Sequence, residues 1–177
     1  NILFATVVAT MFLPGQATII PTYLLWRYAG FLNSLKPLII PSWVGHPFYI
    51  FLMRQFVMSI PAELDDAARI DGCGVFGIYR HVILPLTMPA LATIGIFSFQ
   101  SKWNQFFLPL IYINTKEKLP LAVGLYYFRA MVGSGQMETS WSHLMAAATL
   151  SVLPILIVFF FLQRIFIQGI VISGVKG

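Results

Sequence analysis

The chain has 177 residues, of which 58% are hydrophobic and only 10% are charged, and its formal net charge is +5. An average soluble domain carries roughly 25% charged residues, so the composition argues against a soluble globular protein. The basic residues are scattered singly, which argues against a nucleic-acid-binding stripe. The single cysteine, Cys73, permits no internal disulfide and suggests no cysteine-based metal site.

Four long charge-free stretches indicate membrane helices. They cover residues 1–26, 37–53, 82–101 and 139–163. A hydrocarbon core about 30 Å thick calls for roughly 20 mostly apolar residues per helix, whereas a membrane strand needs about 9–11 of alternating polarity. The pattern therefore predicts an all-α, polytopic transmembrane bundle. The predicted spans cover about residues 1–28, 38–58, 86–108 and 141–164.

The first and third spans carry helix-breaking residues. Pro14-Gly15 predicts a kink in the first span. Pro85 and Pro89 suit the first turn of the third. Asn1 opens directly into apolar sequence without an initiator Met or a basic region, so we expect a chain cut inside or just before a membrane helix rather than a signal peptide. The apolar pieces of residues 109–138 are too short to span and predict a re-entrant or interfacial segment.

Residues 61–85 form a charged island that holds four of the six acids of the chain. Residues 60–71 predict a short amphipathic helix, in which Asp65 and Arg69 form a stabilising i, i+4 pair and Gly72 ends the helix. Its expected apolar, small-residue face comprises Ile60, Leu64, Ala67 and Ala68. The alternative is an ordinary polar loop that returns the chain to the membrane.

The island carries a recognisable pattern. ELDDAARIDG followed by HVILPL resembles the EAA loop of permease subunits of ATP-binding-cassette importers, which reads E-A-A, then glycine, then I-x-L-P. The matching positions are Asp66-Ala67-Ala68, Gly72 and Val82-Ile83-Leu84-Pro85. Asp66 replaces the usual glutamate and Val82 the usual isoleucine. LPLTMPALAT, Trp103-Asn104, PGQATIIPTYLL and the closing GVKG resemble the carbohydrate-importer, maltose-permease-like branch.

The resemblance implies a type I importer permease fold of six spans, of which about four are present here. It implies one transmembrane permease domain over residues 1–177, with a cytoplasmic EAA coupling loop at residues 60–85. The C-terminal tail would share the cytoplasmic side, in a bacterial or archaeal plasma membrane. The basic residues on the two sides number five and six, so charge alone gives no orientation.

The resemblance also implies a mechanism and partners. The EAA helix would rest in a groove of the ATPase subunit, so that closure of the nucleotide-binding subunits moves the membrane helices. The implied coupling residues are Glu63, Asp66, Ala67, Ala68, Gly72, Leu84 and Pro85. The implied partners are ATPase subunits, a second homologous permease, an extracytoplasmic solute-binding protein and membrane lipids. ATP would be bound by the partner, because the chain has no phosphate-binding G-x-x-x-x-G-K-[ST] loop.

Polar residues near the end of the third span are candidates for a sugar pathway. Gln100, Trp103 and Asn104 could line a watery cavity, since polar side chains at membrane depth usually face one. The competing interpretation is that they mark the outer end of the helix. No catalytic or metal-binding constellation occurs, so we expect no enzyme activity and no cofactor. A channel or secondary transporter independent of ATP is the alternative function, and the solute stays open.

Overall fold

The fold is helical, as predicted. A computed structural model describes residues 2–134 and 141–173, with side chains up to residue 163, and this part contains helices and no strand. The helices are α1 (Ile2–Ala9), α2 (Gly15–Tyr28), α3 (Lys36–Ile39), α4 (Pro47–Met58), α5 (Ala62–Ile70), α6 (Val75–Ile78), α7 (Leu84–Leu86), α8 (Met88–Trp103), α9 (Phe107–Tyr112), α10 (Leu121–Gly133) and α11 (Trp141–Ser173). The closing GVKG segment, residues 174–177, lies outside the described residues.

The described helices differ in their capacity to cross a membrane. By length and composition, Trp141–Gln163 of α11 is a span of 23 residues. Two bent pairs meet the same criterion if each counts as one span: Ile2–Phe12 with Gly15–Tyr28, and Val75–Leu86 with Met88–Trp103. The first pair bends by 97° at Pro14-Gly15, which confirms the predicted kink, and the second by 65°.

The predicted second span over residues 38–58 is not one continuous helix. It is divided into α3, a 3-10 turn (Ile40–Val44) and α4, which has 12 residues. The break has a local cause, because Gly45 adopts a left-handed conformation (φ 83°) and Pro47 starts the next helix. The third predicted span is also shorter, since α8 begins after a break at Thr87 and ends at Trp103.

Helix α8 packs most extensively against α11 and also contacts α4. Small buried residues, Ala90 and Ala92, lie on α8, and Leu144 is buried on α11. Trp103 lies near the C-terminal end of α8, where its indole N–H donates to the Ser151 carbonyl of α11 (3.0 Å). Many large apolar side chains remain exposed, which suits a protein whose outer surface meets lipid or other subunits.

A second set of contacts ties the turn after α2 to the segment after α9. Asn33 has a left-handed backbone (φ 56°), and its Oδ1 accepts from the backbone N–H groups of Asn114 (3.2 Å) and Thr115 (3.0 Å). The ammonium of Lys118 donates to the Asn33 carbonyl (3.0 Å). We call these contacts the Asn33 clasp. Along the chain, α5 precedes the N-terminal end of α8, whereas Asn114, Thr115 and Lys118 of the clasp follow its C-terminal end.

Candidate functional site: the α5 surface and the end of α8

Helix α5 forms where its charges favour a helix. Pro61 has the extended backbone of a residue that precedes a helix (φ −60°, ψ 135°). Glu63 and Asp65 lie in the first turn and Arg69 in the last, where they complement the helix dipole. The predicted helix over residues 60–71 is therefore confirmed, with bounds one to two residues shorter at each end.

Gly72 ends α5 through a glycine turn, as predicted. Its φ of 81° lies in the left-handed region. The Gly72 N–H donates to the Arg69 carbonyl (3.0 Å), and the Cys73 N–H donates to the Ala68 carbonyl (2.9 Å). These two bonds form a Schellman motif, which satisfies carbonyls that the helix end would otherwise leave free. The turn fixes the direction in which the chain leaves α5.

The outward face of α5 combines carboxylates with apolar surface. Glu63, Asp66, Ala67 and Ile70 are all exposed and follow i, i+3, i+4, i+7 spacing, so they share one side of the helix. We call these four residues the α5 face. Ile70 is 87% exposed.

The predicted apolar face was wrong in its composition. Ile60 precedes the helix, and Ala68 is only 7% exposed, so its methyl group packs inside this chain. Ala67 lies outward. The error arose because the sequence does not show which side of the helix packs against the rest of the chain.

Asp65 does not behave as the sequence suggests. It is half-buried, and its Oδ1 is enclosed without a hydrogen-bond partner. The predicted stabilising pair with Arg69 is therefore not made through this oxygen. The outward-facing carboxylates of the first two turns are Glu63 and Asp66.

An apolar patch follows the α5 face along the chain. Val75 is 86% exposed and Phe76 is 72% exposed, and the Phe76 ring lies 6.4 Å from that of Tyr79. The sequence did not predict these residues as part of the site, because the candidate site was defined by the charged residues of the island. The signal was present as the apolar sequence VFGIY inside a polar segment. Exposed rings in this setting are typical of a protein contact.

The I-x-L-P positions lie in a widened turn. The Leu84 N–H donates to the Tyr79 carbonyl, five residues earlier, within a π-helical turn over Tyr79–Ile83. Pro85 explains the widening, since its ring crowds the carbonyl four residues before it. Leu84 is half-buried against this chain, whereas Pro85 is exposed at its surface.

The three candidate pathway residues at the end of α8 are not brought to one surface. Gln100 and Asn104 are exposed and lie four residues apart on one side of the helix. Trp103 faces α11 instead, stacked on Phe99 (5.6 Å between ring centroids) and hydrogen-bonded to Ser151. Its role in this structure is to join two helices.

Comparison with known proteins agrees with this architecture. Residues 1–172 match the family described as "Binding-protein-dependent transport system inner membrane component". A putative ABC transporter permease protein of Caldicellulosiruptor sp. is 36% identical over 178 residues, covering 100% of this chain and 63% of the relative. The arabinooligosaccharides transport system permease protein AraQ of Halalkalibacterium halodurans is 33% identical over 177 residues, covering 100% of this chain and 61% of the relative.

A solved structure shares the fold. It is described as a bacterial ABC transporter involved in the import of the acidic polysaccharide alginate, and the match has a TM-score of 0.73 and 29% identity. The match covers 93% of this chain and 61% of that chain, so the chain spans about six-tenths of the length of these relatives. With nearly all of its residues matched to one family, the chain belongs to the binding-protein-dependent transport system inner membrane components.

Proposed function

We propose that the chain is part of a membrane-spanning subunit of an ATP-driven importer for a sugar or a related solute. The observation that carries this proposal is the α5 face, which presents two carboxylates, a small residue and an exposed isoleucine beside the apolar patch of Val75 and Phe76. Exposed apolar surface bordered by charged residues is typical of a site at which another protein binds.

The α5 face docks on the ATPase subunit. Ala67 allows close approach of the two backbones, and Ile70 and Phe76 supply the apolar contact. Glu63 and Asp66 pair with basic groups of the partner, and such charge-assisted bonds are roughly twice as strong as neutral ones. The buried Ala68 side chain packs α5 against the rest of its own chain, and Gly72 sets the direction in which the chain leaves the helix.

Motion passes from α5 to the membrane helices through a short connection. The chain leaves α5 at Gly72, passes the widened turn with Leu84 and Pro85, and enters α8 after the bend at Thr87. Thr87 is buried, and its hydroxyl donates to the Leu84 carbonyl (3.0 Å), which stiffens the bend. A displacement of α5 is therefore transmitted to α8, and through it to α11.

The remaining partners follow from the same proposal. A second, homologous permease subunit completes the translocation pathway, and an extracytoplasmic binding protein delivers the solute. The relatives' names support a sugar, since AraQ is described as an arabinooligosaccharide permease protein. The complex lies in the plasma membrane of a bacterium or archaeon, with α5 on the cytoplasmic side and Gln100 and Asn104 toward the opposite side.

The test replaces Ala67, the small residue of the α5 face, with a large side chain. In the full-length protein, assembled with its partners in proteoliposomes, Ala67→Trp should abolish association with the ATPase subunit without loss of membrane insertion. Ala130→Trp, at an exposed alanine of α10, is the matched control and should assemble normally. The proposal fails if Ala67→Trp retains solute-stimulated ATP hydrolysis at the level of the control.

A further inference from the structure

A groove lies at the end of α8 that is remote from α5. It encloses about 330 Å³, near the lower bound of about 300–1,000 Å³ for small-molecule sites. One wall is the end of α8, where Ser98 and Lys102 lie four residues apart on one side of the helix, and Gln105 lies just after the helix end. The opposite wall contributes Ser42 and Trp43 from the 3-10 turn after α3. Gln100 and Asn104 do not line it.

Lys102 is the charged residue of this lining, and no carboxylate accompanies it. Its ammonium makes no hydrogen bond, ion pair or ring contact within the described residues, in contrast to those of Lys36 and Lys118. Lys36 lies over the Phe31 ring (4.7 Å), and Lys118 donates to the Asn33 carbonyl. Lys102 occupies the last turn of α8, where the helix dipole favours a cation without any partner.

The other lining groups suit a sugar. Trp43 is 81% exposed, so its ring is available to stack on the C–H face of a sugar. The Gln105 amide and the hydroxyls of Ser42 and Ser98 can exchange hydrogen bonds with sugar hydroxyls. The Ser42 hydroxyl donates only within its own segment, to the Leu38 carbonyl.

We propose that this groove binds an acidic sugar, with the ammonium of Lys102 paired to the sugar carboxylate and the ring of Trp43 against the sugar face. The inference rests on the proposed import function and specifies the substrate class of that function. Charge complementarity favours this occupant over a cationic solute, because the lining presents one ammonium and no carboxylate.

Direct binding gives the test, because the delivering protein itself selects solutes in a transport assay. The assembled transporter without its binding protein, in nanodiscs of zwitterionic lipid, would be titrated calorimetrically with digalacturonate and with neutral galactobiose. We expect digalacturonate to bind more tightly. Lys102→Met should weaken digalacturonate binding by about 10-fold or more and leave galactobiose unchanged, as expected for a lost charge-assisted bond.

Two controls separate the groove from general charge effects. Lys102→Arg keeps the cation and should retain most of the preference for digalacturonate. Lys116→Met removes an exposed lysine outside the groove and should change neither titration. Equal affinity of the wild type for both sugars, or a preference that survives Lys102→Met, would overturn the proposal.

A lipid headgroup is the competing anion. If phosphatidylglycerol copurifies in a Lys102-dependent manner and digalacturonate does not bind, the groove holds a lipid phosphate and the acidic-sugar proposal is wrong. The association of the Ala67→Trp variant with the ATPase subunit is measured without any sugar. If Ala67→Trp loses the ATPase subunit but digalacturonate does not bind more tightly than galactobiose, the substrate class is wrong and the proposed import function still holds.

Discussion

The indole N–H of Trp103 donates to the backbone carbonyl of Ser151 over 3.0 Å, which joins the end of α8 to the middle of α11. Ser151 lies three residues before Pro154, the proline inside α11. This bond and the stacking of Trp103 on Phe99 support the most extensive helix pairing among the described residues.

We expect Trp103→Phe to destabilise the protein by about 1 kcal/mol, because it keeps a ring on Phe99 but loses one hydrogen bond. Trp26→Phe is the matched control, since Trp26 also stacks on a phenylalanine and its indole N–H makes no hydrogen bond among the described residues. Thermal unfolding of the assembled transporter in detergent measures both variants. Equal shifts in Tm would show that the Ser151 bond contributes nothing.

Gly72→Ala should destabilise the end of α5 by about 1–2 kcal/mol, because a Cβ is strained at φ 81°. Gly74→Ala tests the same residue change two positions later, where φ is −71° and the added carbon meets open space. We expect Gly72→Ala alone to lower solute-stimulated ATP hydrolysis. If both variants behave alike, the left-handed turn is not what positions α5.

Asn33→Ala should cost about 2 kcal/mol, since it removes an acceptor of two backbone hydrogen bonds and strains a left-handed residue. Hydrogen exchange reports the change locally, as faster exchange of the Asn114 and Thr115 amides. Asn33→Asp retains an acceptor oxygen and should leave both amides protected. Unchanged protection in Asn33→Ala would mean that the clasp is not closed in solution.

The carboxylates of the α5 face should contribute to ATPase binding through charge. Glu63→Gln and Asp66→Asn should each weaken the association, by about 1.5–3 kcal/mol if the bond is buried in the complex, and reduce its sensitivity to salt. Glu117→Gln, an exposed acid after α9, is the control and should bind normally. Affinities measured at low and at physiological salt would contradict the assignment if all three variants matched the wild type.

Local sequence chemistry predicted local structure well. Pro14-Gly15 marked the first bend, and Pro61 and Gly72 bracketed α5, because these residues act on the backbone within one turn. Composition also predicted the helical class. The prediction of one continuous second span was wrong, because Gly45 and Pro47 interrupt an apolar run that hydropathy alone treats as one helix.

Features that depend on distant parts of the chain could not be predicted in this way. Trp103 was one candidate for a solute path, and no local pattern reveals that its indole meets Ser151, 48 residues later. The inward position of Ala68 depends on what packs beneath α5. The groove around Lys102 likewise needs Trp43 from another element.

The most direct test of the coupling claim is site-specific photocross-linking in the assembled transporter. A benzophenone amino acid at Ile70, which is 87% exposed on the α5 face, should cross-link to the ATPase subunit. The same amino acid at Val44, which is 84% exposed beside the remote groove, should not. Cross-links to the ATPase from Val44, or their absence from Ile70, would contradict the assignment of α5 as the coupling surface.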